Sequence, residues 1–580
     1  MKNSYNLFKH NYFTKRNMSS FTLFLWENTM FVNCLIPTGE TELKMMVTLP
    51  SPFNKLHRIN LCRSPEDTIR IFIDRLVLKL SKTQRKVSDS EKLKRNCVEI
   101  KVNGIKVPYT SKCYEIFEEF KANITLEIKD HTYTVIVNAP IINELKLRIP
   151  PYQGLMIYPY GFDQGYNVSV MDTEYSWYRI DSKKEIKVGD YMTYEPTAED
   201  VNCRLKLVCS PFNDMRQPGP TAEIISSTVS ENTIERYPFQ RRSIINLYRN
   251  RKSFRVVSYN ILAGEYTKTK EAKNEMYPYC PEEILASSYR HPLVMSELQA
   301  YHADIICLQE VDKLFFHREL CLILEQYGHM TGLYFKKNGR RNEGLCCFYN
   351  TNTFALLEQF DISLNDLTTI ELYCGPIIKE IMKDEKWKQG LEKRTVFQVL
   401  ALELNSDYKQ ILLVCNTHLI SDPEGDFIRL FQALIELIII NKIKQNITKD
   451  YPESNVSVIF CGDFNSTPES GVNDLVTNLL LPEEHRTVKM LNDLKSNLDF
   501  KMDSAYDTDV LYSNYTETFS GLLDHIYFTN QHLYLNEVKN IMRKYFFQIV
   551  SHDDVIQYGG IPSVLFPSDH LALIADFDVK

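Results

Sequence analysis

A chain of 580 residues exceeds what one hydrophobic core organises and implies about two or three domains. Hydrophobic residues at 44% and charged residues at 24% are ordinary for globular protein, and the longest apolar run, Leu434 to Ile440, holds Glu436 and is too short to span a bilayer, which argues against membrane insertion. With 67 basic and 74 acidic side chains the formal charge is −7, which excludes a protein that coats nucleic acid over its whole surface. A polyanionic partner would have to be held at a local basic site, or through metal ions that reverse the field of a carboxylate cluster.

Residues 1–26 carry Lys2, Lys9, Lys15 and Arg16, no acid, and interleaved Ser, Thr, Phe and Leu. That composition predicts a mitochondrial transit peptide and a matrix protein. Residues 42–150 read as an α+β region, with strand-like runs at Leu43–Leu49, Val98–Val102 and Thr132–Val137. Ser64-Pro65-Glu66-Asp67 predicts the start of a helix whose apolar face is Ile69–Leu80. Residues 151–211 read as short strands, with Trp177 in an alternating run and an acidic turn, Tyr194 to Asp200, feeding Arg204–Cys209. This resembles part of an immunoglobulin-like sandwich, without the paired Cys and Tyr spacing of antibody domains. Residues 212–253 read as a linker, marked by Pro218-Gly219-Pro220 and a cluster of Arg241, Arg242, Arg249, Arg251 and Lys252. The cluster is either solvated or a contact for RNA phosphates.

From Phe254 to Lys580, apolar runs of strand length alternate with helical segments such as Asp426–Lys444, the pattern of a layered α/β domain. A fragment beginning near Arg251 is expected to fold and to carry the whole site. The 14 cysteines fall mostly inside apolar runs and form no Cys-x-x-Cys pair, so buried free thiols are expected.

The ends of those strands carry the chemistry. Phe254–Val257 runs into Asn260, Asp304–Leu308 into Glu310, Ile411–Cys415 into His418, and Val456–Cys461 into Asp463 and Asn465; Asp524 opens one more strand and His570 another. A strand end is a rigid mount. Singly, such an Asp is a turn former and such a His an edge residue; their recurrence points to a site.

These residues resemble, motif by motif, the exonuclease–endonuclease–phosphatase superfamily. The matching segments are Ser-Tyr-Asn260-Ile-Leu, Leu-Gln-Glu310-Val-Asp, Asn-Thr-His418, Gly-Asp463-Phe-Asn465-Ser, Leu-Asp524-His-Ile and Ser-Asp-His570-Leu. Ala263–Tyr266, Tyr277–Cys280 and Tyr289-Arg290 resemble the deadenylase branch, and the upstream half looks like that of the mitochondrial 2′,5′-phosphodiesterase type. Ile420-Ser421-Asp422 departs from the family, which carries an aromatic residue there.

The resemblance implies a layered β-sandwich flanked by helices over residues 254–580. It implies a Mg²⁺-dependent phosphodiesterase, Mn²⁺ substituting, that acts on RNA as poly(A) or 2′,5′-oligoadenylate. Hard oxygen donors such as Glu310 suit Mg²⁺; Asp463 is placed to orient or deprotonate water and Asn465 to donate to the phosphoryl oxygen. Asp524 would hold His570, and His570 with His418 would meet the non-bridging oxygens. Asn260 is a second metal ligand or an orienter, and Asp463 and Asn465 are further ligands if two ions are used. Phe519 and Pro423 match the family's base-contacting positions; read from the residues alone, Lys336, Lys337, Arg340 and Arg341 form a basic loop that either meets the substrate backbone or is only solvated. Another phosphoester on the same scaffold (inositol phosphate, sphingomyelin or abasic DNA) and a catalytically dead RNA-binding scaffold are the alternatives. Linkage preference, 2′,5′ or 3′,5′, is not encoded in these motifs.

Overall fold

The computed structural model describes residues 29–35, 44–49 and 59–580, apart from 84–93, 118–122, 243–251, 481–497, 507–511, 536–551 and a few shorter stretches. The transit peptide expected over 1–26, Arg249, Arg251, Arg340 and Arg341 lie outside the described residues.

The upstream α+β region is one seven-stranded sheet, in the order Ile59–Arg63, Lys44–Leu49, Thr29–Leu35, His131–Val137, Ile124–Ile128, Val98–Val102, Ile105–Lys106. Helix Ile69–Thr83 covers it: Ile69, Phe72, Ile73, Leu76 and Leu80 recur at helical spacing and are buried with Val98, Ile100, Leu126 and Tyr133. The helix begins later than its Ser-Pro-Glu-Asp lead predicts. Asp67 N donates to Ser64 O at 3.1 Å, closing a turn, and Thr68 bridges to Lys112 before the first helical residue.

Downstream comes a four-stranded antiparallel sheet in the order Lys184–Gly189, Ser169–Asp181, Arg204–Phe212, Ala222–Thr228. Trp177 is fully buried in it, its Nε1 donating to Tyr191 O at 3.0 Å. The acidic turn is closed by Asp200, whose Oδ2 accepts from Tyr194 Oη at 2.6 Å and from Thr197 N at 2.7 Å.

Two sequence expectations are corrected here. The linker over 212–253 contains strand Ala222–Thr228, so Pro218-Gly219-Pro220 marks a turn between paired strands rather than an interdomain tether. Against the sandwich reading, the described strands of residues 139–252 form this single sheet and, beside it, only a two-stranded ladder, Lys146–Leu147 with Pro159–Tyr160. Trp177, Leu205 and Leu207 instead share one apolar cluster with Leu155, Ile157 and Tyr158 and with Leu293, Leu320 and Phe348 of the C-terminal half. Of the basic cluster, Lys252 lies over the Tyr408 ring at 4.6 Å.

The C-terminal half stacks two six-stranded sheets. The first runs Met330–Lys336, Glu343–Asn350, Ile305–Asp312, Ser253–Asn260, Leu573–Val579, Leu533–Leu535. The second runs Phe354–Ser363, Val396–Leu404, Gln410–His418, Asn455–Asp463, Asp524–Phe528, Asp503–Ser504. Their facing sides meet in a core of Val256, Ile305, Cys307, Leu400, Leu412, Ile459, Ile526 and Leu573. Helix Asp426–Asp450 packs on the outer side of the second sheet and helix Ser287–Tyr301 on that of the first. Burial on both faces explains the near-continuous apolar runs, each large aliphatic side chain contributing about 1.5–3 kcal/mol. Gln309 Nε2 donates to Asn416 Oδ1 at 2.7 Å, tying the sheets together below the site. The described cysteines are free thiols. Among the described residues no helix is long and apolar enough to cross a membrane.

Candidate active site

Strand register alone brings the chemistry together. On the second sheet His418 is the cross-strand partner of Asp463, and Asp463 of Asp524, so three tips stand side by side. On the first sheet Asn260 pairs with Gln309, one residue before Glu310, while His570 bridges to Asn514. Gly462 makes the middle pairing fit: its φ is +147°, and a Cβ there would lie 2.0 Å from Thr417 O. Glu310 and Asn465 have φ of +56° and +47°, sparsely populated for such residues and typical of sites whose surroundings hold them in place.

Asn260 is the hinge of the cluster. Its Nδ2 donates to Asp463 Oδ2 at 2.9 Å and to Glu310 Oε1 at 3.2 Å, and its Oδ1 accepts from Leu262 N at 3.0 Å. Glu310 Oε2 accepts from Ala263 N at 3.0 Å. Asp463 Oδ1 accepts from Asn465 N at 2.9 Å, while its Oδ2 lies 3.6 Å from both His418 Nε2 and His570 Nε2. His570 Nδ1 is bonded to Asp524 Oδ2 at 2.7 Å, an oxygen that also accepts from Ser513 Oγ at 2.7 Å. Asn465 Nδ2 donates to Leu419 O at 2.9 Å, which fixes its amide plane.

Charge is unevenly compensated. Burial, together with Asp569 and Glu343, pushes the Glu310 carboxyl up to about 7. Burial raises Asp463 to about 6, the nearby Asp524 adding and His570 opposing. Against the cost of burial, Asp524 and Asp463 hold His570 well above the usual imidazole value, so it is a cation between two carboxylates. Burial drives His418 the other way, to the neutral form, and among the described residues its Nδ1 has no hydrogen-bond partner.

Asp463, Asp524 and His570 present ligand atoms within 4.8 Å of one another, and with His570 protonated the trio, two carboxylates and one cation, keeps a net negative charge. Glu310, bonded to the Asn260 amide and the Ala263 N–H, adds a carboxyl oxygen of the kind a hard divalent cation takes. A divalent ion therefore fits the Glu310 side, where the Asn260 amide adjoins Asp463.

Every expected tip residue is gathered here except the two base contacts, which lie on loops. Phe519 sits on the turn of hairpin Asn514–Gly521, 43% exposed. A Cβ on Gly521 would lie 2.8 Å from Phe519 Cζ, so the glycine lets the ring lie against the hairpin. Pro423 is exposed in the loop after His418. Lys337 Nζ stands 3.6 Å from Glu343 Oε1.

Sequence reasoning missed the supports. Arg290, fully buried, donates to Ile261 O, Leu262 O and Pro567 O at 3.1, 2.7 and 2.8 Å, clamping the loop after Asn260 to the loop before His570. Tyr277 Oη donates to Asp569 Oδ2 at 2.7 Å, and Tyr289 Oη to Val564 O at 2.7 Å. These residues stood out in the sequence only as a subfamily resemblance. Ser513 had no sequence signal at all.

The model of the Endonuclease/Exonuclease/phosphatase family matches residues 257–570, the stretch that contains all seven tip residues. The chain belongs to this family. The 2′,5′-phosphodiesterase 12 of Rattus norvegicus is 33% identical over 494 residues, covering 78% of this chain and 76% of the relative. The CCR4-Not complex 3′-5′-exoribonuclease subunit Ccr4 of Mycosarcoma maydis is 27% identical over 57% of this chain and 51% of its own length. Among solved structures, that of ANGEL2, a 2′,3′-cyclic phosphatase, aligns at 23% identity over 56% of this chain and 96% of that chain, with a TM-score of 0.44. Within the family, similarity to phosphodiesterases and exoribonucleases makes this chain a member of the nuclease and phosphodiesterase group.

Proposed function

We propose that this chain is a Mg²⁺-dependent 3′-exoribonuclease that cleaves oligoadenylate or poly(A), through 2′,5′ or 3′,5′ bonds, to 5′-AMP. The observation that carries this reading is Asp463 Oδ2, which is bonded to Asn260 and faced by two imidazoles while Glu310 stands on the far side of the same amide.

Glu310, with Asn260 beside it, would hold Mg²⁺, or Mn²⁺ in its place, and the bound ion neutralises phosphate charge. Asp463 takes the proton of the attacking water, a task suited to a carboxyl raised to about 6. As the water oxygen bonds to phosphorus, the bond to the leaving ribose oxygen breaks and that oxygen is protonated from solvent. His570, cationic and oriented by Asp524, donates from Nε2 to a non-bridging oxygen, and Asn465 steadies another. His418 meets the phosphate from the neighbouring strand. Phe519 offers its exposed face to a base and Pro423 closes the other side; stacking on an aromatic contributes about 1–3 kcal/mol.

The names of the two relatives, a 2′,5′-phosphodiesterase and a 3′-5′-exoribonuclease, support an RNA substrate. Matrix localisation rests on the composition of residues 1–26, and a reporter carrying them should enter mitochondria. The enzymatic test is incubation of the purified chain with 2′,5′- and 3′,5′-oligoadenylate and with oligocytidylate, with and without Mg²⁺. Release of 5′-AMP only with Mg²⁺, and faster than release of 5′-CMP, is expected. Equal release from adenylate and cytidylate would remove the base preference, and no release from any of the three would remove the substrate class.

A further inference from the structure

The upstream segment reaches the active site through one partly buried chain of polar contacts. Arg148 follows the short strand Lys146–Leu147, and its guanidinium pairs with Glu319, Nε donating to Oε2 at 3.2 Å. Glu319 is 2% exposed and also accepts from Tyr158 Oη at 2.8 Å, so two upstream residues satisfy one carboxylate of the nuclease half. Burial opposes ionisation of Glu319, but the Arg148 guanidinium beside it holds its carboxyl below the usual carboxylate range. Such a pair is costly to break, because either partner alone is left as an uncompensated buried charge.

The same guanidinium touches His291: Arg148 Nη2 lies 3.2 Å from His291 Nδ1. An arginine only donates, so Nδ1 must accept, and the ring proton is then on Nε2. That nitrogen faces Asp312 Oδ2 at 4.0 Å, beyond hydrogen-bond distance, with its N–H dipole towards the carboxylate, while the ring is stacked on Phe315 with centroids 3.7 Å apart.

Asp312 ends the strand that carries Glu310. Its Oδ2 accepts from Gly264 N at 2.8 Å, and the preceding amide, Ala263 N, donates to Glu310 Oε2 at 3.0 Å. Two successive amides of one loop thus grip two carboxylates of one strand end. Gly264 permits the approach, since a Cβ there would lie 2.5 Å from Ser287 Oγ and 3.0 Å from Asp312 Oδ2.

We infer that Arg148, His291 and Asp312 are positioning residues, through which the upstream segment holds the 263–264 loop and so sets the Glu310 carboxylate for its cation. The inference rests on the reading of Glu310 as a metal-holding group. It gives the N-terminal half a part in the chemistry that neither the motifs nor the relatives' names assign. Groups that orient a metal ligand through a hydrogen bond typically change metal affinity by about 10–100-fold when removed.

The test uses the full chain and Mn²⁺ alone, its affinity measured by calorimetry without substrate and its melting temperature recorded in parallel. His291→Phe keeps a ring on Phe315 and leaves the Arg148–Glu319 pair, yet removes both nitrogens. It should weaken Mn²⁺ binding at least about fivefold, and Asp312→Asn about tenfold. The double variant should be no weaker than Asp312→Asn alone, because both act through one path. Arg148→Met, the more disruptive change, should show a loss in the same direction wherever it folds.

Lowered melting temperatures with Mn²⁺ affinity within twofold of wild type would overturn the inference and reduce the chain to scaffolding, as would fully multiplicative losses in the double variant. Glu310→Gln separates the two levels. If it weakens Mn²⁺ binding and His291→Phe does not, only the inference falls. If it leaves Mn²⁺ binding intact, the reading of Glu310 falls and the inference with it.

Discussion

Asp524 Oδ2 and His570 Nδ1 are 2.7 Å apart, and that bond turns the other ring nitrogen towards Asp463. The carboxylate orients the ring and holds its proton. Asp524→Asn keeps the volume but removes the charge that sustains the imidazolium. Turnover of an oligoadenylate should fall about a hundredfold or more, with KM changed little. A fall in KM affinity at unchanged kcat would assign Asp524 to substrate binding instead.

Glu310 makes the metal requirement depend on pH. Its carboxyl is raised to about 7, so below that value it holds a proton with which a cation must compete. Mn²⁺ affinity should therefore rise about twentyfold from pH 5.5 to 7.5 and level off above. The same shift has a definite sign for stability. A folded-state carboxyl raised above its unfolded value stabilises the metal-free fold below its ordinary range, and that contribution is lost as pH rises through about 7. The metal-free melting temperature should decline between pH 5 and 8, as scanning calorimetry would show, and added Mn²⁺ should restore it at the upper end. A flat affinity profile would mean that Glu310 is not the group displaced.

Phe519 is exposed enough to meet a base and is held flat by Gly521. Phe519→Ala should lower kcat/KM for oligoadenylate about tenfold with the melting temperature nearly unchanged. Gly521→Ala should reproduce part of that loss by lifting the ring. A large drop in melting temperature with normal turnover per folded molecule would show that the ring serves packing.

The division of the chain into an upstream unit and a nuclease unit beginning at Ser253–Asn260 is a proposal that the shared apolar cluster bears on directly. Because Tyr158, Trp177 and Leu207 share a cluster with Leu293 and Phe348, residues 139–580 should unfold in one calorimetric transition. A fragment beginning near Arg251 keeps every tip residue but leaves Glu319 without Arg148 and Tyr158. It should melt lower, by about 3 °C or more if the pair contributes about 2 kcal/mol or more. Equal melting temperatures would restore the nuclease half as an independent unit.

The site was legible because buried strands write themselves as apolar runs, so the residue that ends each run is identifiable without the fold. His418, Asp463 and Asp524 were found that way, and register then placed them side by side. What holds the tips was not legible. Arg290 bonds to Ile261 and Pro567, 29 and 277 positions away, and a lone arginine in a helical segment does not announce partners at such distances. Strand Ala222–Thr228 was hidden because Pro and Gly punctuate both linkers and hairpins, and pairing with Arg204–Phe212 decides between them. The four-stranded sheet suggested a sandwich because an alternating strand records one buried face and not what covers it.

Asp463 is where the site converges, its carboxylate meeting Asn260, His418, His570 and the Asn465 amide. The most direct measurement is single-turnover cleavage of a short oligoadenylate by Asp463→Asn at saturating Mg²⁺, with substrate affinity measured alongside. The variant keeps size and hydrogen-bonding capacity and removes charge and basicity. A rate lower by at least about a hundredfold, with substrate still bound, is the expected result. A rate above about a tenth of wild type would contradict the role given to Asp463 as the group that takes the water proton.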